Sequence, residues 1–328
     1  MVKPQIIVNG KGTELNNGKA LKGRAKRKMI TQNLALNLID IAQRKGDDER
    51  VKSFWNTYYC QSRIYSSGDR LYGKYCKNRF CTLCCSIRKA FIINKYLPAI
   101  KLWEDPYFVT LTIKSVPAYR LKLLLSKVIQ GFKRIKNKYR KRNLRGKGIK
   151  LIGVKSLECN FNPKAKTYNP HLHLIVANKE IADMFINEWL KLWKGEWTYK
   201  GAQKVRKVED TERDLIEIVK YGSKIFTEPD VNKKSKEKNS PLLYVSALNN
   251  ILKAMKGLRV FERFGFDLRD QGKSKPGKTT VLNQYNEWVF DLKHTDWVNA
   301  DSDQVLSGYL PTVEVRGLLD NNIDKQLE

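Results

Sequence analysis

The chain has 328 residues, of which 41% are hydrophobic and 10% aromatic, so it can bury a sizeable core and is not expected to be disordered. Lysine and arginine total 63 against 33 acidic residues, and this net charge of +30 predicts a polyanionic partner, nucleic acid in preference to a membrane surface. No apolar run approaches the ~20 residues that span a bilayer, and the start of the chain lacks the apolar segment of a secretory signal. We therefore expect a cytoplasmic protein with no membrane association.

The pattern of the sequence divides the chain into four segments. Residues 1–50 combine a loosely ordered basic arm, residues 1–29, with a helix predicted at Thr31–Arg44. The arm either contacts phosphates or is a solvated tail. Residues 51–95 form a cysteine-rich segment. Residues 96–228 alternate strand-like and helix-like patterns. Residues 229–328 begin with a hydrophilic linker and continue into a region of unknown role.

The third segment predicts an α+β domain. Its strands alternate β-branched and aromatic residues, and its helices repeat apolar residues at helical spacing. The order β-α-β-β-α-β-α predicts an antiparallel sheet with helices, similar to the ferredoxin fold. The predicted elements are a strand at Tyr107–Lys114, a helix at 118–142, a hairpin of strands Ile149–Asn160 and Tyr168–Ala177, a helix at 180–194, a strand at Val205–Val208 and a helix at Thr211–Ile225.

Two of the three histidines in the chain lie two residues apart in a predicted strand. Residues at this spacing project from the same face, so His171 and His173 form half of a site for a divalent cation. Glu158, on the strand paired with them, is a candidate third ligand. The alternatives are a hydrogen-bonded histidine pair and an exposed glutamate at a strand edge.

The last predicted helix of this segment has a polar face whose side chains are suited to catalysis. Glu217, Lys220, Tyr221 and Lys224 fall on one side of it, opposite its apolar residues. Ammonium groups favour the phenolate form of a tyrosine and so make it a nucleophile, and a carboxylate one turn earlier is placed to act as a general base. The alternative is an ordinary solvated helix face.

The cysteine spacing predicts a structural zinc site. Cys60, Cys76, Cys81 and Cys84 supply an x2 pair and two further thiols, which suits tetrahedral coordination. Cys85 remains an alternative to Cys84, and reduced, half-buried thiols are the alternative to a metal. We expect the sixth cysteine, at position 159, to be a core thiol.

A run of like charge extends over residues 120–150, which contain 13 lysines and arginines and no acidic residue. A solvated helix face normally mixes charges of both signs, so this stretch predicts contacts with DNA phosphates. The candidate DNA-binding residues are Lys133, Arg134, Lys136, Lys138, Arg140, Lys141 and Arg142.

In this order, these motifs resemble the replication initiators of small rolling-circle plasmids, which belong to the His-hydrophobic-His (HUH) endonuclease superfamily. The resemblance covers roughly residues 55–270 and is specific as an ordered set. It implies an HUH core, with an antiparallel sheet like that of the ferredoxin and RRM folds, and a cysteine-rich zinc knuckle. The motifs are YCKNRFCTLC, FVTLTIK, GFKRIKNKYRKR, the strand ending LEC, NPHLHLIV and EIVKYGSK.

The resemblance also implies roles for single residues. His171, His173 and Glu158 would bind Mg²⁺ or Mn²⁺. Tyr221 would cleave one strand at the replication origin and stay on the 5′ phosphate, leaving a 3′-OH that primes host polymerase. Glu217 would assist water at the end of the cycle, and the flanking basic residues match Lys220 and Lys224. A homodimer and a host helicase are the further partners that it implies.

Two other functions fit parts of the same pattern. A relaxase or a single-tyrosine transposase would keep the chemistry, although relaxases usually gather three histidines and such transposases usually lack this cysteine segment. A zinc-stabilised, DNA-binding regulator without activity would explain the charge and the cysteines. It would leave the histidines, Glu217 and Tyr221 without a role.

Overall fold

A computed structural model of the chain describes residues 4–9, 12–219, 241–268 and 279–312. The chain forms two compact units, residues 1–86 with 272–328 and residues 87–271. The predicted segments 51–95 and 229–328 each contribute residues to both units. The four segments predicted from the sequence therefore do not coincide with the two units, and their functional roles remain predictions. None of the described helices is long and apolar enough to cross a membrane.

The first unit combines helices with two antiparallel sheets. One sheet pairs β1 with β10, and the other has the strand order β12-β11-β3-β4-β2. Its core contains Ile64, Leu71, Trp288 and Trp297, packed with Ala25 of the first helix. The elements are β1 (Ile6–Asn9), β2 (Thr13–Glu14), α1 (Gly18–Gln43), α2 (Asp48–Tyr58), β3 (Arg63–Ser67), β4 (Arg70–Gly73), β10 (Thr279–Leu282), β11 (Asn286–Asp291) and β12 (Asp296–Asn299).

The first long helix begins earlier than the sequence predicts. Asn17 caps α1 by accepting a hydrogen bond from the backbone N–H of Ala20, so the prediction of a loosely ordered arm up to residue 29 is wrong from Gly18 onward. Six basic residues between Lys19 and Lys28 obscured the pattern, and two of them, Arg24 and Lys28, are themselves buried. Hydropathy alone treats buried cations as solvated, so it placed the start at Thr31.

The second unit is built on one antiparallel sheet with the strand order β8-β5-β7-β6-β9. From β5 to α6 its elements follow the predicted β-α-β-β-α-β-α order, which confirms the α+β class and the antiparallel sheet. The edge strand β9 was not predicted. The elements are α3 (Thr82–Ile100), whose first residues belong to the first unit, β5 (Tyr107–Thr112), α4 (Ala118–Leu144), β6 (Gly153–Asn162), β7 (Thr167–Val176), α5 (Lys179–Leu192), β8 (Lys204–Lys207), α6 (Thr211–Val219), α7 (Pro241–Ala254) and β9 (Phe261–Phe264).

The two faces of this sheet have different neighbours. Lys155 of β6 is opposite Leu174 of β7, and its ammonium lies 5.7 Å from the ring centre of Phe132 on α4. The helix α4 therefore covers the face that carries Leu174 and Leu172. The histidines alternate with these leucines along β7, so they lie on the other face.

Several sequence predictions fall outside the described residues. The predicted helix at Thr211–Ile225 is described as far as Val219, and Lys220, Tyr221 and Lys224 follow it. The predicted hydrophilic linker at the start of residues 229–328 also lies outside the described residues, which resume at residue 241.

Candidate functional site

Two neighbouring strands bring together the side chains predicted to bind a divalent cation. Glu158 of β6 is directly opposite His171 of β7, and Ser156 is opposite His173. Oε2 of Glu158 lies 3.5 Å from Nε2 of His171 and 3.5 Å from Nε2 of His173. Glu158 is only 4% exposed, so the alternative of an exposed strand-edge glutamate is wrong.

A hydrogen bond at Nδ1 orients each of the two imidazoles. Nδ1 of His171 donates to the carbonyl oxygen of Asn169, 3.1 Å away, which leaves Nε2 with its lone pair facing Glu158. Nδ1 of His173 lies 3.1 Å from the Thr110 hydroxyl. The Asn169 side chain is held in turn by the Ile113 carbonyl at 2.7 Å and the Thr112 hydroxyl at 3.1 Å. Such hydrogen bonds fix the direction in which a metal-binding imidazole points.

This donor set fits a small divalent cation. Two imidazole nitrogens and a carboxylate oxygen lie within 4.8 Å of one another, and all three side chains are buried. Octahedral ligands about 2.1 Å from Mg²⁺ lie about 3 Å apart when they are adjacent. The separations of 3.5 Å differ from that spacing by only a small movement of each side chain. His171, His173 and Glu158 can therefore hold a divalent cation.

The helix that carries Glu217 lies over the same face of the sheet. The ring of Phe108, on β5, is 5.4 Å from the ring of His173, and the guanidinium of Arg206 lies 4.6 Å from the centre of the Phe108 ring. Arg206 forms an ion pair with Asp214 of α6. The hydrogen bond that Arg206 donates to Asp214 raises the pKa of Arg206, and the Glu217 carboxylate adds to the effect. This series of contacts anchors α6 beside the histidines.

The second group of candidate ligands is the cysteine cluster of the first unit. The sulfur atoms of Cys60, Cys76, Cys81 and Cys84 lie within 4.8 Å of one another. Sγ of Cys84 is 3.7 Å from Sγ of Cys60 and 3.6 Å from Sγ of Cys76. Zinc–sulfur bonds of about 2.3 Å in a tetrahedron place neighbouring sulfurs about 3.8 Å apart, so the arrangement fits a zinc ion.

Backbone amides prepare this cluster for negative charge. Each of the four sulfurs accepts a backbone N–H at 3.3–3.5 Å, an arrangement that stabilises thiolates. Hydrogen bonds from the neighbouring thiols, that of Cys60 first, hold the pKa of Cys76 well below its usual range. Hydrogen bonds among the same thiols, that with Cys76 first, raise the pKa of Cys60.

A buried lysine supports the turn that presents Cys60. Nζ of Lys28 donates to the carbonyl oxygens of Tyr58 at 2.7 Å and Cys60 at 2.9 Å, and to the Ser62 hydroxyl at 2.8 Å. Burial lowers the pKa of Lys28 to about 8, while the nearby thiols act in the opposite direction. Lys28 thus ties α1 to the chain on both sides of Cys60.

The two remaining cysteines lie outside both ligand groups. Sγ of Cys85 donates to the carbonyl oxygen of Arg79 at 2.9 Å, and the structure groups Cys84 with the other three sulfurs. Cys159, predicted to be a core thiol, is only half-buried on β6.

The predicted DNA-binding residues divide into two groups on α4. Lys136 forms an ion pair with Glu262 and Lys138 with Glu188, each with a nitrogen–oxygen distance of 2.7 Å. These pairs reduce the charge that the two lysines offer to DNA. The remaining five residues are exposed and have no carboxylate partner among the described residues: Lys133, Arg134, Arg140, Lys141 and Arg142.

Sequence reasoning missed the residues that support the ligands. Thr110 is directly opposite His173 in the sheet, and Asn169 lies two residues before His171 on the same strand. Alternation along the strands would have placed both residues on the face that carries the histidines. Arg206 and Lys28 gave no such signal. Each is one basic residue among many, and only its tertiary contacts distinguish it.

The fold and the site define a basic α+β protein with two groups of candidate metal ligands, of which the histidine–glutamate group is buried and the cysteine group is largely buried. A family model described as "Replication protein" matches residues 70–278, and the chain belongs to this family. This confirms the resemblance to rolling-circle plasmid initiators.

Two curated relatives are each named "Protein rep". The one from Staphylococcus aureus is 32% identical over 165 residues, which cover 45% of this chain and 69% of the relative. The one from Streptococcus pneumoniae serotype 2 is 28% identical over 218 residues, which cover 60% of this chain and 65% of the relative. No solved structure matches the chain.

Proposed function

We propose that this chain initiates rolling-circle replication by nicking one DNA strand at the origin of its plasmid, with Tyr221 as the nucleophile. The observation that carries the proposal is the buried group of Glu158, His171 and His173 on the sheet face beside α6. Tyr221 follows Val219, the last described residue of that helix, by two positions. Membership of the replication protein family supports the same activity.

In this proposal the three buried side chains hold a Mg²⁺ or Mn²⁺ ion, which supplies positive charge that polarises the scissile phosphate. The chain's own part is to orient the ligands. The carbonyl of Asn169 accepts the Nδ1 proton of His171, so Nε2 of that ring faces Glu158 with a lone pair. Burial of all three ligands keeps competing water out.

The chemistry of the nick is assigned to the residues in and after α6. The Tyr221 oxygen forms a bond with phosphorus, and the bond between phosphorus and the 3′ oxygen breaks. The phenol proton of Tyr221 is released to solvent, and the 3′ oxygen takes up one proton from solvent and becomes the 3′-OH that primes synthesis, while the 5′ phosphate stays on the tyrosine. Lys220 and Lys224 favour the phenolate, and Glu217 accepts a proton from the water or hydroxyl that later resolves the link.

The cysteine group has a structural role in the proposal. Cys60, Cys76, Cys81 and Cys84 hold a zinc ion that joins the end of α2 to the start of α3. This metal takes no part in the nick, because four thiolates fill its coordination sphere.

DNA is the main partner in this proposal. The five exposed basic residues toward the end of α4 contact phosphates of the origin, which is single-stranded or extruded as a hairpin when it is cut. The resemblance adds three further proposed partners, which are a host helicase, host polymerase and a second copy of the chain.

The test is a nicking assay on the full chain. The purified protein is incubated with Mn²⁺ and single-stranded DNA of its own replicon, and the products are separated on a denaturing gel. We expect a DNA-linked protein band that survives SDS and is absent with EDTA and in Tyr221→Phe. Tyr199→Phe, which changes a tyrosine that is 72% exposed in the same unit, should keep the band.

The same assay separates the alternatives. Reversible, salt-sensitive binding without a covalent band, across all strands and metals tried, would favour the zinc-stabilised regulator. A covalent band on strands from a transfer origin or a transposon end, but not on the replication origin, would favour a relaxase or transposase. The third histidine, His294, pairs with Asp291.

A further inference from the structure

An open groove of about 670 Å³ lies along the edge strand β9 in the second unit. Two aromatic residues of its lining, Tyr96 of α3 and Phe261 of β9, have ring centres 5.1 Å apart, and both side chains are only half-buried. Half-exposed aromatic pairs present flat apolar surface to solvent. Such surface suits a planar ligand such as a nucleobase.

The charges of the groove favour an anion. Its two carboxylates are already paired, Glu262 with Lys136 at 2.7 Å and Asp267 with Arg263 at 3.1 Å. Lys150 and Arg259 are exposed and have no carboxylate partner among the described residues. Two free cations beside two aromatic rings match the phosphate and the base of a nucleotide.

The groove is also connected in register to the metal ligands. His173 is opposite Ser156 of β6, and Ser156 is opposite Phe261 of β9. Directly opposed residues share a face of the sheet, so Phe261 and His173 project to the same side, with the small Ser156 between them. Two strand spacings separate them by about 10 Å. A DNA strand covers that distance in roughly one to three nucleotides, given about 3.4 Å per stacked nucleotide.

We infer that this groove is a base-stacking subsite for single-stranded DNA, in which Tyr96 and Phe261 hold a base and Lys150 and Arg259 hold phosphate. The inference rests on the proposed function, because it places an unpaired nucleotide of the cut strand close to the residues that are proposed to hold the catalytic metal. The segment 145–150 leads from the basic end of α4 to the groove, so one DNA strand can follow both surfaces.

The first experiment separates stacking from charge. Binding of the full chain is measured by fluorescence anisotropy, without added divalent metal, to a labelled oligothymidylate and to an abasic deoxyribose-phosphate chain of equal length. The wild type should bind the oligothymidylate at least about fivefold more tightly, since stacking on an aromatic side chain adds to affinity for each base. Tyr96→Leu/Phe261→Leu should lose this preference, whereas Lys150→Ala/Arg259→Ala should weaken binding of both chains equally.

Matched controls use residues of the same unit outside the groove. Tyr119→Leu/Tyr199→Leu removes two exposed tyrosines and should keep the preference for bases. Arg120→Ala/Lys122→Ala removes two exposed charges near the start of α4, and should weaken binding less than Lys150→Ala/Arg259→Ala. An aromatic groove variant that binds with the wild-type preference for bases would overturn the inference.

A second measurement needs no substitution, so a variant that fails to fold does not block the test. The wild-type chain is photo-cross-linked to an oligonucleotide that contains 5-iodouracil, and the adducts are mapped by mass spectrometry. Adducts on the peptides with Tyr96 or Phe261 are expected, and adducts confined to other peptides would refute the subsite. Neither measurement requires cleavage, so a chain that stacks bases but makes no nick refutes the proposed function alone. A chain that nicks but shows no stacking here refutes this inference alone.

Discussion

Glu158 stands directly opposite His171 in the register of β6 and β7, and its Oε2 lies 3.5 Å from Nε2 of that histidine. The same oxygen is 3.5 Å from Nε2 of His173. A shift of the hairpin by one residue would turn Glu158 to the opposite face of the sheet. The register of one hairpin therefore decides whether these three ligands meet.

Replacing this carboxylate should weaken metal binding without unfolding the protein. Glu158→Gln keeps the size of the side chain but removes its charge, and we expect Mn²⁺ to bind at least about tenfold more weakly. Isothermal titration of the chain with Mn²⁺ measures this directly. Glu188→Gln, which changes a largely buried glutamate of α5, is the matched control and should bind Mn²⁺ as the wild type does. Equal Mn²⁺ affinity in both variants would remove Glu158 from the ligand set.

The hydroxyl that orients His173 should also matter. Thr110→Val keeps the shape of the side chain but removes its hydrogen bond to Nδ1 of His173. Loss of such support typically costs 10- to 100-fold in metal affinity or activity, so we expect about a tenfold loss of Mn²⁺ affinity. Thr167→Val, at the start of β7, should leave the affinity unchanged. The idea fails if Thr110→Val titrates like the wild type.

The sequence was sufficient to predict the order of elements around the candidate site. Alternation along β7 placed His171 and His173 on one face, and a short turn made β6 its antiparallel neighbour with Glu158. The spacing of the cysteines likewise singled out the four sulfurs that the structure groups together. These features depend on periodicity and short-range connection, which a sequence displays directly.

Features that depend on long-range contacts could not be predicted. The strand β9 is short and pairs with β6 about a hundred residues earlier, and nothing in its sequence announces that partner. Lys28 and Lys155 can be buried because their ammonium groups donate hydrogen bonds to carbonyl oxygens of distant residues, although their charge suggests solvent exposure. Two of the seven predicted DNA-binding residues, Lys136 and Lys138, form ion pairs with Glu262 and Glu188. These carboxylates are distant in sequence, so the pairs could not be predicted either.

Zinc content should distinguish the two adjacent cysteines. Cys84→Ser removes a sulfur of the cluster, and we expect the purified protein to contain little zinc and to unfold at a lower temperature. Cys85→Ser is the matched control, because the Cys85 thiol faces the Arg79 carbonyl, and it should retain the zinc of the wild type. Elemental analysis and thermal unfolding are the measurements. Zinc loss in Cys85→Ser alone would reverse the assignment.

The two groups of basic residues on α4 should differ in their effect on DNA binding. Arg140→Ala/Lys141→Ala removes two exposed charges, and the slope of log affinity against log salt should fall by about 1.5 for single-stranded DNA. Lys136→Ala/Lys138→Ala should change the slope less, because both lysines are already paired with carboxylates. Binding is measured by anisotropy over a range of salt concentrations. Equal changes of slope in the two variants would show that the ion pairs open when DNA binds.

Stability of the chain should rise with pH because of one buried lysine. Burial is the main cause that lowers the pKa of Lys155 from 10.5 to about 8. The nearby Glu262 carboxylate acts in the opposite direction, and Lys136, Arg259 and Lys133 lower the pKa further. The folded state then binds this proton less tightly than the unfolded chain, so folding releases it between about pH 8 and 10.5. The free energy of unfolding should therefore increase by about 2 to 3 kcal/mol from this group across that window.

The contribution of Lys155 is isolated by comparing substitutions. Urea unfolding is followed by tryptophan fluorescence at about pH 7 and about pH 10 for the wild type and for Lys155→Met, which cannot titrate at this position. Other groups, the zinc-site thiols among them, titrate in both proteins, so the difference between the two pH dependences reports Lys155. Lys127→Met changes an exposed lysine of α4 and should keep the wild-type pH dependence. If Lys155→Met gains as much stability with pH as the wild type, the buried ammonium is not destabilising the folded state, and the ion pair between Lys136 and Glu262 must compensate it fully.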